Sequence, residues 1–133
     1  MKFFKQAGIL DSPRDILAPG VWTPDLQLYP HAREQILGIL YKNIPVEDVK
    51  EVFIIGSITG FKYNETSDID VNVKVGDKPD LYHDTKDTFS GTLLTGTRHP
   101  INYFVTEQIF EAPAVAEDWA DYKFGVYDVL NDR

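Results

Sequence analysis

The sequence predicts a small α/β (α+β) domain whose mixed β-sheet is flanked by helices. Three short apolar runs rich in β-branched residues, at 52–55, 68–75 and 101–105, have the length and pattern of strands. Upstream of them, residues 31–43 repeat apolar side chains at helical spacing between two prolines. A chain of 133 residues with 43% hydrophobic residues is long enough for one core, so we expect a single domain.

The first two elements follow from the positions of proline and of apolar residues. Residues 1–30 include four prolines, which favours an extended N-terminal arm that wraps the core. His31–Asn43 is predicted to be a helix, because Ile36 and Leu40 lie on one stripe and a proline follows shortly after. We place the domain proper at 31–133.

The central strands are predicted from their apolar patterns. Residues 52–55 form a buried strand that ends at Gly56-Ser57, residues 68–75 form a second strand, and residues 101–105 form a third. The other predicted elements are, in order, a short helix or turn at 58–63, a polar loop at 62–66, a turn at 76–79, a short helix at 80–89, a connection at 91–96, and a tail at 112–132 with a short helix and an extended segment.

Composition limits the classes of function. The net charge is −8 and basic residues are scattered, whereas tight binding of long nucleic acid uses many Lys or Arg contacts to phosphates, so such a partner is not expected. The chain has no cysteine, which excludes disulfides and thiolate metal sites. Gln6 and Asp11 interrupt the first apolar run too early for a signal peptide, so we expect a cytoplasmic protein without membrane contact.

The aspartates Asp68 and Asp70 are the most informative residues for function. In an extended strand alternate side chains share a face, so both carboxylates point the same way with Cα atoms about 6.5 Å apart. Neighbouring like charges favour a divalent cation such as Mg²⁺ or Mn²⁺, which binds carboxylate oxygens and keeps phosphates as further ligands. Upstream, Gly56-Ser57 offers backbone N–H groups and a hydroxyl to a phosphate. The pattern predicts a metal site for phosphoryl chemistry, and an Asp-x-Asp on a solvated strand surface is the structural alternative.

The Gly-Ser turn and the Asp-x-Asp strand together resemble a known signature. Gly56-Ser57, followed by Ser67-Asp68-Ile69-Asp70-Val71, resembles the motif of the polymerase-β-like nucleotidyltransferase superfamily, over about Val52–Val75. The resemblance implies a nucleotidyltransferase-like fold. It also implies that the turn binds the triphosphate of a nucleoside triphosphate and that Asp68 and Asp70 hold the metals.

The resemblance further implies a third carboxylate on a later strand. In the strand predicted at 101–105 the residue in this position is Asn102, which provides a carbonyl oxygen but no charge. We therefore place Asn102 in the catalytic site with Asp68 and Asp70, and assign the metal to the two aspartates. Glu107 is a weaker candidate, since it lies on the opposite face of a straight strand.

Three polar residues near the motif have alternative roles. Ser57 is predicted to contact the triphosphate, but serine is also a common N-cap of a following helix. Ser67 is grouped with the nucleotide-binding residues, and its hydroxyl also suits a local hydrogen bond that orients the loop. His99 precedes Pro100, which favours extended backbone, and both a structural and a substrate-contacting role remain open.

Two functions remain open. The first is a Mg²⁺-dependent nucleotidyltransferase that transfers a nucleoside monophosphate from a nucleoside triphosphate to a protein or small-molecule acceptor. The second is a catalytically silent relative that acts as a nucleotide-binding or protein-interaction module. Asn102 and the small size favour the second function. The intact aspartate pair favours the first, because adjacent like charges are unfavourable without a ligand.

The size of the chain and the residues that follow Gly56-Ser57 both bear on the partner that we expect. The minimal single-domain nucleotidyltransferases of prokaryotes and their viruses resemble the chain most, and some of them are antitoxins that modify a partner protein. The basic residues that follow Gly-Ser in the antitoxin type are replaced here by Ile58 and Thr59, which disfavours that function. Because little chain follows the third strand, we expect a protein partner or a second copy to complete the nucleotide cleft.

Overall fold

The computed structural model describes residues 16–60, 63–76, 89–106 and 125–133. The described strands form one five-stranded mixed sheet, which confirms the predicted α+β class. The elements are helix α1 at Pro30–Asn43 and strands β1 at Glu51–Gly56, β2 at Ile69–Lys74, β3 at Thr92–Leu93, β4 at Pro100–Thr106 and β5 at Gly125–Asp128, with 3-10 turns at Val46–Asp48 and Ser57–Thr59.

The sheet has β2 at its centre. The strand order is β3-β4-β2-β1-β5. Strand β2 pairs antiparallel with β1 and parallel with β4, and the outer strands β5 and β3 pair antiparallel with β1 and β4. The strand that carries Asp70 therefore has a hydrogen-bonded neighbour on each side.

One face of the sheet packs on α1. Ile69, Val71 and Val73 of β2 are fully buried and belong to the same core cluster as the α1 residues Ile36 and Leu40. The Tyr103 hydroxyl, on the neighbouring strand β4, donates a hydrogen bond to Ile36 O at 2.7 Å. Since side chains alternate between the faces of a strand, Asp70 and Asn102 lie on the face opposite α1.

The first and the last described segments of the chain both pack against this core. Ala18 and Val21 are fully buried, and residues 16–29 turn back on themselves through a bridge between Trp22 and Leu28. The indole N–H of Trp22 donates to Ile58 O at 2.8 Å, which ties this segment to the turn after β1. At the other end, Arg33 of α1 donates to Val129 O at 2.8 Å. Residues 1–15 of the predicted arm lie outside the described residues.

The sheet differs from the prediction in its ends and edges. The second strand begins at Ile69 and not at Asp68, because the ladders with β1 and β4 reach only Asp70 and Ile69. Strand β3 forms within the predicted connection at 91–96. Most of the helix predicted at 80–89 and of the tail at 112–132 lies outside the described residues. Among the described residues, no helix combines the length and apolarity that a membrane crossing requires.

Candidate functional site

Asp70 lies on β2, between the strands that carry Gly56 and Asn102. Within β2 it pairs in register with Ile55 of β1 and with Asn102 of β4. Residues that pair across adjacent strands project to the same face, so Asn102 lies beside Asp70. Both side chains are half-buried. The parallel pairing of β2 with β4 thus puts a neutral amide next to the half-buried carboxylate.

The end of β1 comes close to the Asp70 carboxylate. Gly56 has φ 96° and ψ −169°, a region of backbone conformation that essentially only glycine adopts. A Cβ atom placed on Gly56 would lie 3.1 Å from Asp70 Oδ2. The backbone conformation therefore favours glycine here, and a Cβ atom would also force the Asp70 carboxylate to shift by a few tenths of an ångström. The Gly-Ser turn and Asp70 consequently meet in space.

Ser57 begins the 3-10 turn Ser57–Thr59 without capping it. The N-cap residue is Gly56, and no side-chain hydrogen bond caps the turn. Thr59 Oγ1 donates to Gly56 O at 2.6 Å and thereby closes the turn. The N-cap alternative for Ser57 is therefore wrong, and its half-buried hydroxyl stands beside the glycine that faces Asp70.

The two aspartates influence each other electrostatically. Asp68 is exposed and lies one residue before β2. Burial of the Asp70 side chain, and to a lesser extent the nearby Asp68 carboxylate, raises the pKa of Asp70 from 3.8 to about 6. Within the described part of the chain neither carboxylate forms an ion pair with Lys or Arg, in contrast to the exposed pair Arg98–Glu65 at 3.9 Å. The site therefore carries uncompensated negative charge among the described residues.

The donor set at this site suits a hard cation. Asp68 and Asp70 offer carboxylate oxygens and Asn102 an amide carbonyl, which are ligands that Mg²⁺ and Mn²⁺ accept. The described residues contain no group of three His, Cys, Asp or Glu side chains that could hold a metal ion. Glu107, the alternative third carboxylate, lies outside the described residues. The described residues therefore offer oxygen ligands of the kind that a hard cation accepts, but too few to enclose it without further ligands.

The loop before Asp68 is held by hydrogen bonds. Ser67 Oγ accepts a hydrogen bond from Asn64 N at 2.8 Å, which is the local, loop-orienting role considered for this residue. The carbonyl of Ser67 accepts one from His99 Nδ1, also at 2.8 Å. The side chain of His99 is buried. Sequence reasoning missed this contact because the residues are 32 positions apart, and only the parallel register of β2 and β4 aligns them.

Comparison of the chain with protein-family models, with curated proteins and with solved structures gave no match. The assignment of a function therefore depends on the arrangement of Gly56, Asp70 and Asn102 and on the motif resemblance over 52–75.

Proposed function

We propose that this chain is a Mg²⁺-dependent nucleotidyltransferase of the polymerase-β-like type, which transfers a nucleoside monophosphate from a nucleoside triphosphate to a protein or small-molecule acceptor. The observation that carries the proposal is the close approach of the Asp70 carboxylate to Gly56, 3.1 Å from the position of a Cβ atom there. It brings the predicted phosphate-binding turn and the predicted metal ligand together on one face of the sheet.

Each residue of the site has a role in this proposal. Asp68 and Asp70 would hold the cation, and Asn102 would offer its carbonyl oxygen in the third position. The backbone N–H groups of the turn at Gly56-Ser57 and the Ser57 hydroxyl would bind the phosphates. When bound, the cation would offset the charge of the triphosphate and assist attack by the acceptor. Half-burial of Asp70 and Asn102 limits the access of water to this position.

The alternative function is a catalytically silent domain that binds a nucleotide or a protein. The neutral side chain of Asn102 favours it, because the residue paired with Asp70 brings no charge to a metal. In this case Asp68 and Asp70 would still bind a nucleotide together with its cation, since the triphosphate supplies the other ligands. Activity therefore separates the transferase from the silent domain. Nucleotide binding is common to the transferase and a silent nucleotide-binding domain, but a protein-interaction module does not require it.

The test combines binding and transfer. ATP, GTP, CTP and UTP are titrated calorimetrically with and without Mg²⁺, and transfer is followed with α-labelled nucleotides in the presence of candidate acceptors. Metal-dependent binding of a nucleotide with incorporation of label supports the transferase. Binding without incorporation supports the silent domain. Absence of binding for all four nucleotides contradicts both nucleotide-dependent functions and leaves a protein-interaction module.

Two variants locate the binding to the proposed site. Ser57→Ala removes a hydroxyl that makes no hydrogen bond with the described residues, so we expect weaker nucleotide binding with unchanged thermal stability. Asp70→Asn should abolish the metal dependence of binding. The matched control is Asp25→Asn, which changes an exposed aspartate in another part of the chain and should bind nucleotide normally.

A further inference from the structure

Asp68 is less firmly held by the sheet than Asp70. The ladder between β1 and β2 ends at the pair Ile55–Asp70, and the ladder between β2 and β4 ends at Ile69–Ile101. The backbone of Asp68 thus lies beyond both ladders. A side chain that binds a metal must be held in one orientation. Hydrogen bonds to the segment that carries the side chain provide that orientation.

The peptide between Ser67 and Asp68 is held by a buried side chain from the residue that precedes β4. His99 is 4% exposed, and its Nδ1 lies 2.8 Å from Ser67 O. Since a carbonyl oxygen only accepts, Nδ1 carries the proton in this contact. The other hydrogen bonds that the structure describes for Asn64, Thr66 and Ser67, such as the one from Asn64 N to Ser67 Oγ, stay within the turn.

The backbone of His99 is itself held by two hydrogen bonds. Its backbone N–H donates to Thr97 Oγ1 at 3.1 Å, and its carbonyl accepts from Leu94 N at 2.9 Å. Pro100 follows and begins β4, the strand that carries Asn102. The segment 99–102 therefore carries two residues of interest. Asn102 lies beside Asp70, and the imidazole of His99 holds the loop that precedes Asp68.

We propose that His99 is a positioning residue, which orients the Asp68 carboxylate toward Asp70 and a bound divalent cation through the hydrogen bond from Nδ1 to Ser67 O. The inference rests on the proposed function, because it assumes that Asp68 is a metal ligand. His99 acts through the Ser67–Asp68 peptide and contacts neither the cation nor the nucleotide.

Substitutions at His99 separate the hydrogen bond from simple packing. In His99→Asn the amide nitrogen is attached to Cγ, as Nδ1 is, and keeps a donor in the same place. In His99→Gln the same amide is one bond further out and cannot replace it. His99→Leu removes the donor but keeps an apolar side chain. The matched control is His31→Leu, which alters an exposed histidine on α1.

The experiment measures the affinity for Mn²⁺ in the absence of nucleotide, from the electron paramagnetic resonance signal of free Mn²⁺. Loss of a group that orients a metal ligand typically weakens metal binding by about 10-fold or more, which is the result expected for His99→Gln and His99→Leu. His99→Asn and His31→Leu should bind as the unchanged protein does. Equal affinity in all variants, or equal loss in His99→Asn and His99→Gln, overturns the positioning role.

A second measurement tests the hydrogen bond between His99 and Ser67 in the absence of metal. The ¹⁵N shifts of the His99 ring should show the proton on Nδ1. Both variants lose the ring current of the imidazole, so the amide resonance of Asp68 should move in each, but further in His99→Gln, which also loses the hydrogen bond, than in His99→Asn. A proton found only on Nε2, or an Asp68 resonance that moves equally in both variants, overturns the inference even if Mn²⁺ binds. If the unchanged protein binds no Mn²⁺, either alone or together with a nucleoside triphosphate, while the resonances behave as expected, the proposed function fails, and the hydrogen bond is established as a loop contact without a metal role.

Discussion

The Asp70 carboxylate and Gly56 approach each other so closely that any side chain at Gly56 would press on the carboxylate, with Cβ 3.1 Å from Oδ2. The contact joins residues from two antiparallel strands, β1 and β2, at the end where β1 leaves the sheet. It makes the conformation of the turn and the position of the carboxylate depend on each other.

Gly56→Ala should therefore affect both stability and metal binding. The left-handed backbone conformation alone costs about 1–3 kcal/mol for a residue with a side chain. The new Cβ atom would also displace the Asp70 carboxylate, so we expect weaker Mn²⁺ binding. Chemical denaturation and Mn²⁺ titration measure the two effects. Gly96→Ala is the control, since Gly96 also has a positive φ of 85° but has no atom within 4 Å of the point that its own Cβ would occupy. An equal loss of Mn²⁺ affinity in both variants would contradict this contact.

Asp70→Asn should remove the response of the fold to metal. A cation that binds the native state and not the unfolded chain raises the melting temperature, and this rise should vanish without the Asp70 carboxylate. Without metal the variant should be at least as stable as the unchanged protein, because a half-buried carboxylate beside Asp68 is replaced by a neutral group. Melting curves with and without MgCl₂ or MnCl₂ provide the test. A metal response that persists in the variant would place the cation elsewhere.

The pH dependence of stability follows from the same residue. The pKa of Asp70 is raised to about 6, above the value of about 3.9 in an unfolded chain, so the native state holds this proton more tightly. The stabilising contribution is complete below pH 4 and is lost as the pH rises through 6. Comparing the free energy of unfolding of the metal-free protein with that of Asp70→Asn between pH 4 and 7 isolates this contribution. A difference that stays constant over this range would contradict the raised pKa.

Asn102→Asp should convert the site into one with three carboxylates. Because Asn102 is paired in register with Asp70, the new carboxylate would lie beside it and supply a charged ligand where a neutral one stands. We expect Mn²⁺ binding to tighten by roughly tenfold, since affinity for hard cations rises with ligand charge. Nucleotidyl transfer should appear or increase if the acceptor site is intact.

The same substitution should destabilise the metal-free protein at neutral pH, because it adds a like charge next to Asp70. Asn43→Asp, at the exposed end of α1, is the control for the change of residue type and should leave Mn²⁺ affinity unaltered. If Asn102→Asp binds Mn²⁺ no better than this control, Asn102 does not occupy the third ligand position.

Local patterns in the sequence were sufficient for the main elements. The helix predicted at 31–43 is Pro30–Asn43, and the strands predicted at 52–55 and 101–105 are Glu51–Gly56 and Pro100–Thr106. Proline positions and the alternation of side chains act within a few residues, which is why they can be read directly. The two-residue strand β3 is too short to have a pattern of its own and exists through its pairing with β4.

By itself, the sequence determined that Gly56-Ser57 ends one strand and that Asp70 and its neighbours form the next, because these features depend on residue type and spacing. Only the tertiary structure decided that β2 and β4 pair in parallel, which places Asn102 beside Asp70 and His99 against Ser67. It also decided that Asp68 lies just outside the strand. The physical reason is that strand order and register arise from hydrogen bonds between segments distant in the chain, and no local pattern specifies them.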